Sequence, residues 1–192
     1  MNTNDSLAIK NKRAKKMMLL FGMISMSMTF AGLTSAYVVS SSRSDWIDQI
    51  DLPFAFTVST FLLLLSSGTF HMALKSIRGM LLKKAQSLLL TTLVLALTFI
   101  YFQFQGFGKI IEQGYYFTGA ESSITTSYLY ILVLLHLGHL IAGIIIVLFV
   151  LYNSFREKYL QGNTLGFELA VTFWHFLDIL WLYLFLFVSF YG

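Results

Sequence analysis

Three things are scarce in this chain of 192 residues: cysteine, proline and charge. It contains no cysteine, which excludes disulfide bonds and thiolate chemistry. Pro53 is its single proline, and only 11% of the residues are charged, whereas 57% are hydrophobic. The mean hydropathy is +0.73. A water-soluble domain of this size does not need so much apolar surface, so the composition predicts a helical protein that crosses a membrane several times.

Five long apolar runs divide the sequence, and each exceeds the roughly 20 residues needed to cross about 30 Å of hydrocarbon. We therefore predict an all-α fold, a bundle of five transmembrane helices. The predicted helices cover residues 17–40, 53–75, 85–106, 126–152 and 166–191. A polar, basic segment at 1–16 precedes them, and residues 17–192 are predicted to form one domain.

The lysine and arginine residues are distributed unevenly between the two ends of these runs. With the N-terminus inside, 2 of the 13 basic residues, Arg43 and Lys109, lie in external loops. The other 11 lie in internal segments; they are Lys10, Lys12, Arg13, Lys15, Lys16, Lys75, Arg78, Lys83, Lys84, Arg156 and Lys158. The positive-inside rule therefore predicts a cytoplasmic N-terminus and a C-terminus on the opposite side, which would be the periplasmic side of a bacterial inner membrane.

The basic residues admit two further interpretations. Segment 1–16 is interpreted as a flank that anchors the first helix, with contact to anionic lipid or a partner as the alternative. The isoelectric point of 9.3 could indicate nucleic acid binding. Because the basic residues cluster at the ends of apolar runs, membrane topology explains them better, and no nucleic-acid partner is expected.

The last apolar run carries ionisable residues, which are costly inside a membrane and usually face protein rather than lipid. His175 and Asp178 are three residues apart and so lie on one helix face. Glu168 precedes His175 by seven residues, which places it within about 20° of the same direction. In the fourth run, His136 and His139 lie at nearly the same depth. We predict that these five side chains form an intramembrane polar network that joins the last two helices.

Aromatic and small residues supply further contact predictions. His71, Trp174 and Trp181 are predicted to contact lipid or to pack at helix interfaces. Ser27, Ala31 and Ser35 form a row of small residues on the first run, which suits close packing against another helix.

Two alternatives involve chemistry at the histidines. Histidines from different helices could ligate haem iron, and three histidines with an aspartate could hold a metal. A proton relay through the same groups is the other alternative, but 182–188 offers only Tyr183 toward the outer surface. The sequence contains no phosphate-binding glycine loop and no serine–histidine–acid order. We therefore predict no catalytic centre, cofactor site or metal site in this chain.

Three motifs together resemble subunit III of the haem–copper terminal oxidases, the cytochrome c oxidase subunit III family. Residues 171–181 read VTFWHFLDILW and resemble the family's last helix. Residues 135–143 contain its His-x-x-His followed by glycine, and 66–71 is similar to the Ser-Ser-x-Thr segment of an earlier helix. Ala36–Tyr37 also fits. Larger members have seven helices, and this chain matches the last five; the family's usual mid-helix acid falls at about Met26.

The resemblance implies an accessory, non-redox subunit of a proton-pumping oxidase that reduces oxygen in aerobic respiration. Such a subunit stabilises subunit I and its proton uptake through helix and lipid contacts. Haem and copper are then expected in partner subunits. Subunit I is the expected main partner, with subunit II, a larger respiratory supercomplex and phospholipid as further partners. A membrane cytochrome that binds haem through its own histidines, or a small transporter, remains the alternative.

Overall fold

The computed structural model describes residues 3–43, 46, 53–115, 117, 123–161 and 164–191. Within these ranges the chain forms five long α-helices and no strand. The helices are α1 (Thr3–Ser40), α2 (Phe54–Arg78), α3 (Leu82–Glu112), α4 (Ile124–Phe155) and α5 (Leu165–Tyr191), and a short 3₁₀ turn, η1 (Lys158–Gln161), precedes α5. All five are long and apolar enough to span a membrane. The prediction of an all-helical protein with five helices able to cross a membrane is confirmed for the described residues.

The first helix extends well beyond its predicted start. It begins at Thr3 rather than near residue 17, and its 38 residues correspond to about 57 Å of helix. The hydrocarbon layer is only about 30 Å thick, so the basic segment continues the helix outside it. Residues 3–16 contain neither glycine nor proline, which would stop the helix.

The third helix also continues beyond its predicted end at 106. A Cβ built on Gly106 would lie 2.7 Å from Cε2 of Phe56, so this glycine allows α3 to approach α2 closely. The helix ends at Glu112, just before Gly114, whose φ of +88° is the left-handed conformation that terminates helices.

Helix α5 lies at the centre of the bundle. It packs against α1, α2 and α4, and its neighbour α4 likewise packs against three helices, α1, α3 and α5. The inward side chains Phe167, Trp174 and Leu177 of α5 are almost completely buried. In contrast, α1 packs against α4 and α5 and leaves most of its surface exposed. The polar stripe predicted on the last helix is thus part of an element that contacts three other helices.

Polar contacts identify the helix ends that share one side of the bundle. Arg78 at the end of α2 pairs with Glu168 at the start of α5, and Lys16 of α1 pairs with the same carboxylate. At the other side, Tyr37 donates a hydrogen bond to the Tyr191 carbonyl near the end of α5. These contacts fit helices that alternate in direction, with α1 parallel to α5.

Candidate functional site

Two tryptophans of α5 hydrogen-bond to hydroxyl groups of α2. The indole N–H of Trp174 donates to Ser66 Oγ at 3.1 Å, and that of Trp181 donates to Thr60 Oγ1 at 2.9 Å. The tryptophans are seven residues apart and their acceptors are six residues apart in the opposite order, as two antiparallel helices require. Both indoles are buried. Trp174 and Trp181 therefore pack between helices rather than against lipid.

A second polar contact between the same helices involves two histidines. His175 Nδ1 is hydrogen-bonded to Ser67 Oγ. The rings of His175 and His71 lie side by side, with centroids 5.7 Å apart and planes tilted by 38°. His71 remains exposed and His175 is half-buried. The histidine near the end of α2 thus lies beside the central histidine of α5.

Asp178 is buried one turn further along α5. It is 3% exposed; no well-aligned hydrogen bond reaches either carboxylate oxygen, although the Ser67 hydroxyl of α2 lies close enough to interact with the carboxyl group. A buried carboxyl group without a partner is costly, and more so when it is ionised. The nearby Ser67 hydroxyl offsets part of this cost.

The two histidines of α4 are held mainly by aromatic rings. His136 is 1% exposed, and its ring centroid lies 5.1 Å from that of Trp181. Neither of its nitrogens has a hydrogen-bond partner in the described part of the chain. His139 Nδ1 donates to the Leu135 carbonyl at 2.8 Å. Phe30 of α1 contacts both imidazoles, with centroid distances of 6.5 Å and 5.8 Å.

The structure places the residues of the predicted five-residue network in separate groups, and a common role for the five stays a prediction. His175 contacts α2, His136 and His139 contact aromatic rings, and Glu168 lies at the end of the bundle. Among the described residues no hydrogen bond connects these groups. The α4–α5 interface is formed instead by close packing: a Cβ built on Gly143 would lie 2.9 Å from Leu177 Cδ1 and 3.2 Å from Trp174 Cζ3.

Glu168 joins three helices at the basic end of the bundle. Its Oε1 lies 3.0 Å from Arg78 Nη2 and accepts a hydrogen bond from Thr164 Oγ1 at 3.3 Å. Its Oε2 lies 3.6 Å from Lys16 Nζ. The basic side chains are more than half exposed, so water and salt screen these pairs. Seven residues of helix place Glu168 about 10 Å from His175 along the axis.

Substituting Glu168→Gln is expected to destabilise the protein only slightly. Exposed ion pairs contribute about 0–1 kcal/mol each, and the loss should vanish near 1 M salt, where the screening length is about 3 Å. Thermal unfolding at low and high salt measures this, with Glu112→Gln at the far end of α3 as the control. A loss of several kcal/mol that persists in high salt would contradict the prediction.

The structure contains buried polar contacts between α2 and α3 that were not predicted from the sequence. Gln103 Nε2 donates to Ser59 Oγ at 2.8 Å, and both side chains are buried. The hydroxyls of Thr69 and Thr92 are 2.8 Å apart. The contact of Gln103 could have been predicted, because this residue places a polar amide inside the apolar span 85–106.

Metal-ligating side chains are dispersed in the described part of the chain. No group of three or more histidine, cysteine, aspartate or glutamate residues there could hold a metal ion. His71 and His175 form a pair, but His136 and His139 belong to another interface. The set of three histidines and an aspartate considered from the sequence is therefore not assembled.

Comparison with known proteins shows which family the sequence matches. The sequence model described as "Cytochrome c oxidase subunit III" matches residues 9–192. The "Cytochrome bo(3) ubiquinol oxidase subunit 3" of Buchnera aphidicola is 29% identical, over 98% of this chain and 92% of that protein. The "Cytochrome c oxidase subunit 3" of Bacillus sp. (strain PS3) is 26% identical over 81% of this chain and 75% of its own length.

The "Probable cytochrome c oxidase subunit 3" of Rickettsia felis is 31% identical over 76% of this chain. That alignment covers 50% of the Rickettsia protein, so the chain spans about half the length of this relative. The Buchnera protein, in contrast, is covered almost throughout. The matched region begins within α1 and includes all five candidate membrane spans.

Proposed function

Because the chain belongs to the cytochrome c oxidase subunit III family, we propose that it is the accessory, non-redox subunit III of a proton-pumping haem–copper oxidase. The match over residues 9–192 carries this proposal, because it includes all five candidate membrane spans and both histidine motifs. The resemblance noted from the α4 and α5 motifs is confirmed as family membership. Membership in a subunit III family implies that other oxidase subunits are its partners.

Subunit I is proposed as the main partner, with subunit II and a larger respiratory supercomplex as further contacts. Helix α1 supports a protein neighbour, because its small residues Ser27, Ala31 and Ser35 all lie on the exposed surface. Small side chains let another helix approach closely. The proposed complex resides in a bacterial inner membrane, where haem and copper belong to the partner subunits. The 11-to-2 distribution of basic residues supports a cytoplasmic N-terminus.

Residues 17–192 are proposed to act as one structural domain, following the basic segment 1–16. In this domain α5 is joined to α2 through hydrogen bonds of the Trp174 and Trp181 indoles and the His175 imidazole. We propose that these polar groups stabilise the bundle and its attachment to subunit I, and that no electron passes through them. Phospholipid covers the exposed apolar surface that no subunit covers.

Purification through a tag on the intact chain tests the assignment. The expected result is co-purification of a haem–copper subunit I, identified by mass spectrometry, together with a haem spectrum and oxygen consumption. A complex without that subunit and without oxygen consumption would overturn the proposal. A Soret band from the isolated chain would indicate a membrane cytochrome instead, and substrate flux through the isolated chain in liposomes would indicate a transporter.

Asp178→Ala tests the structural role of the buried carboxyl group. We expect an unchanged initial haem spectrum, followed by weaker retention of this chain or a shorter catalytic lifetime, because the substitution leaves a gap beside the central helix. Repeated turnover assays of the purified complex measure the lifetime. Asp178→Asn keeps the shape of the side chain and should have a smaller effect. Immediate loss of a haem band in Asp178→Ala would refute the proposed role.

A further inference from the structure

Two histidines from different helices lie side by side at the outer edge of the α2–α5 interface. The ring centroids of His71 and His175 are 5.7 Å apart. His71 is exposed and His175 is half-buried, so a small ion can reach the space between the rings. Imidazole is a common ligand of zinc, copper and nickel. The pair therefore has the chemistry of a metal site as well as that of a packing contact.

The spacing of the two rings suits one shared ion. Zinc binds an imidazole nitrogen at about 2.0–2.1 Å, so each ring centre lies roughly 3 Å from the metal and two bound rings lie about 5–6 Å apart. The separation of 5.7 Å between His71 and His175 falls in this range. Because His71 is exposed, its ring can rotate to turn a nitrogen toward the ion. His136 and His139 are arranged differently, since Phe30 of α1 contacts both of their rings.

A hydroxyl group and a carboxyl group lie behind His175. The Nδ1 atom of His175 is hydrogen-bonded to Ser67 Oγ, and the Ser67 hydroxyl also lies close enough to interact with the Asp178 carboxyl group. When Asp178 is ionised it only accepts hydrogen bonds, so Ser67 donates to Asp178 and accepts from the Nδ1–H of His175. This arrangement leaves the lone pair of His175 on Nε2, where a metal can bind it.

The same arrangement gives the buried carboxyl group a role. Histidines that ligate a metal usually donate their second ring N–H to a carboxylate, a carbonyl or a water molecule, which fixes the ring and makes it a stronger ligand. Here the Ser67 hydroxyl would connect His175 to Asp178 in this way. Asp178 is 3% exposed, and a nearby cation would favour its ionised form.

We propose that His71 and His175 bind one divalent metal ion of the zinc class between α2 and α5, and that Ser67 and Asp178 orient the His175 ring. Zinc has no redox chemistry, so the ion would link two helices and carry no electron. Two protein ligands leave the other coordination positions to water, so the ion is exchangeable. The sequence led us to expect no metal site, and this site uses a pair of ligands rather than three histidines and an aspartate.

The proposed site lies close to the basic end of the bundle. Helix α2 has 25 residues, or about 38 Å, and so exceeds the hydrocarbon layer of about 30 Å. His71 precedes Arg78, the last residue of α2, by seven residues or about 10 Å. An ion from the headgroup region therefore has only a short distance to cross. Lys75 and Arg78 oppose the approach of a cation, and Glu168, which pairs with Arg78, offsets part of their charge.

Protection of His71 from chemical modification tests the proposal on the purified complex that contains the full chain. After EDTA has removed weakly bound metal, diethylpyrocarbonate modifies accessible imidazoles, and peptide mass spectrometry measures the adduct on His71. At a zinc concentration about ten times the dissociation constant, mass action leaves about one tenth of the site free, so modification should be about tenfold slower. Unchanged modification in excess zinc would overturn the proposal. A His71 that resists the reagent without zinc would also overturn it, because the site would then be closed.

Variants of three histidines separate a specific site from general adsorption of zinc. In His175→Ala, the reagent should still modify His71, but zinc should no longer protect it. His139→Ala removes an imidazole that contacts Phe30 of α1 and should leave the protection of His71 as in the wild-type protein. Gel filtration and the haem spectrum verify that each variant is assembled. Equal protection in the wild-type protein and His175→Ala would overturn the proposal.

His71→Ala provides a second measurement that changes only an exposed side chain. Equilibrium dialysis of the complex against radioactive zinc should show less bound zinc in this variant than in the wild-type protein. Equal binding would overturn the proposal, because the metal would then be held elsewhere. Neither measurement depends on oxygen consumption, so this inference and the oxidase assignment can fail independently.

Ser67→Ala tests the orienting role of the hydroxyl while both ligands remain. Loss of a group that holds a metal-ligating histidine typically lowers metal affinity about 10–100-fold, and we expect a decrease in that range from zinc titrations. Thr69→Val is the matched control, because it removes a hydroxyl of α2 that bonds to Thr92 of α3 instead. It should leave zinc affinity unchanged. Equal affinity in Ser67→Ala and the wild-type protein would overturn the role assigned to Ser67 and Asp178.

Discussion

Replacing Gly143 with leucine is expected to separate α4 from α5 and to release this chain from the complex. A Cβ at this position would already lie 2.9 Å from Leu177 Cδ1 and 3.2 Å from Trp174 Cζ3. Neither neighbour can yield easily, because both are almost completely buried and Trp174 is also hydrogen-bonded to Ser66. Overpacking typically costs about 1–3 kcal/mol. The cost here should reach the upper part of that range, since leucine adds three more carbons beyond the Cβ.

Gly138 provides a control on the same helix. A Cβ built there meets nothing within 4 Å, and the residue is exposed. Gly138→Leu should therefore leave the complex as stable as the wild-type protein, although it introduces the same side chain. The measurement is the fraction of this chain that remains with the oxidase after heating, determined by gel filtration and mass spectrometry.

Side chains of increasing size at position 143 test whether the expected loss of stability has a steric cause. Gly143→Ala should have an intermediate effect, because it adds only the Cβ. Equal retention of Gly143→Leu and Gly138→Leu would show that α4 and α5 have more space than their contact indicates. Equal loss in both variants would attribute the effect to leucine in α4 rather than to the interface.

The overall fold could be predicted from the sequence because a bilayer imposes simple requirements. Each crossing needs about 20 apolar residues in a helix, so five apolar runs indicate five spans. The membrane requirement does not determine where a helix ends outside the apolar layer. Helix α1 therefore continues to Thr3, and α3 continues beyond Gly106, because their residues still favour or allow helix there.

The candidate site could be predicted only in part. Periodicity correctly places His175 and Asp178 on neighbouring positions of one helix, but it does not identify the helix that they face. The structure brings His175 to Ser67 and His71 of α2, whereas the polar residues of the fourth run favoured a contact with His136 and His139 of α4. A shared depth in the membrane is compatible with either contact, because it specifies height and not direction around the bundle.

The contacts of His136 show a second reason why the site could be predicted only in part. Its neighbours are Trp181 of α5 and Phe30 of α1, and neither ring offers a hydrogen-bond acceptor to the imidazole. The sequence does not show whether a phenylalanine in an apolar run packs against a histidine or faces lipid, because its neighbours along the chain are apolar in both cases. The two indole hydrogen bonds were likewise hidden, because serine and threonine are frequent in transmembrane helices.

Truncating Trp181 to alanine is expected to cause the other large loss of stability. The indole packs against Phe99 with ring centroids 5.2 Å apart, lies 5.1 Å from the His136 ring and donates to Thr60. It therefore connects α5 with α2, α3 and α4 at one level. Replacing a buried tryptophan with alanine typically costs about 3–5 kcal/mol, because the cavity closes only partially.

Two further variants divide this loss between packing and hydrogen bonding. Trp181→Phe retains most of the ring but removes the indole N–H, and an interhelical hydrogen bond in a membrane contributes about 0.6 kcal/mol on average. Thr60 is not left unpaired by this change, because its hydroxyl still donates to the Phe56 carbonyl at 2.8 Å. Trp181→Phe should therefore cost far less than Trp181→Ala in unfolding measurements on the complex.

Thr60→Val removes the acceptor instead and leaves a buried indole N–H without its partner. An unsatisfied buried donor costs about 1–3 kcal/mol, so this variant should be less stable than Trp181→Phe, although both lack the same hydrogen bond. The order of stability expected is wild type, Trp181→Phe, Thr60→Val and Trp181→Ala. If Trp181→Phe were as unstable as Trp181→Ala, the hydrogen bond rather than ring packing would hold α5 in the bundle. Because two rings and one hydroxyl from three helices surround this indole, packing should dominate.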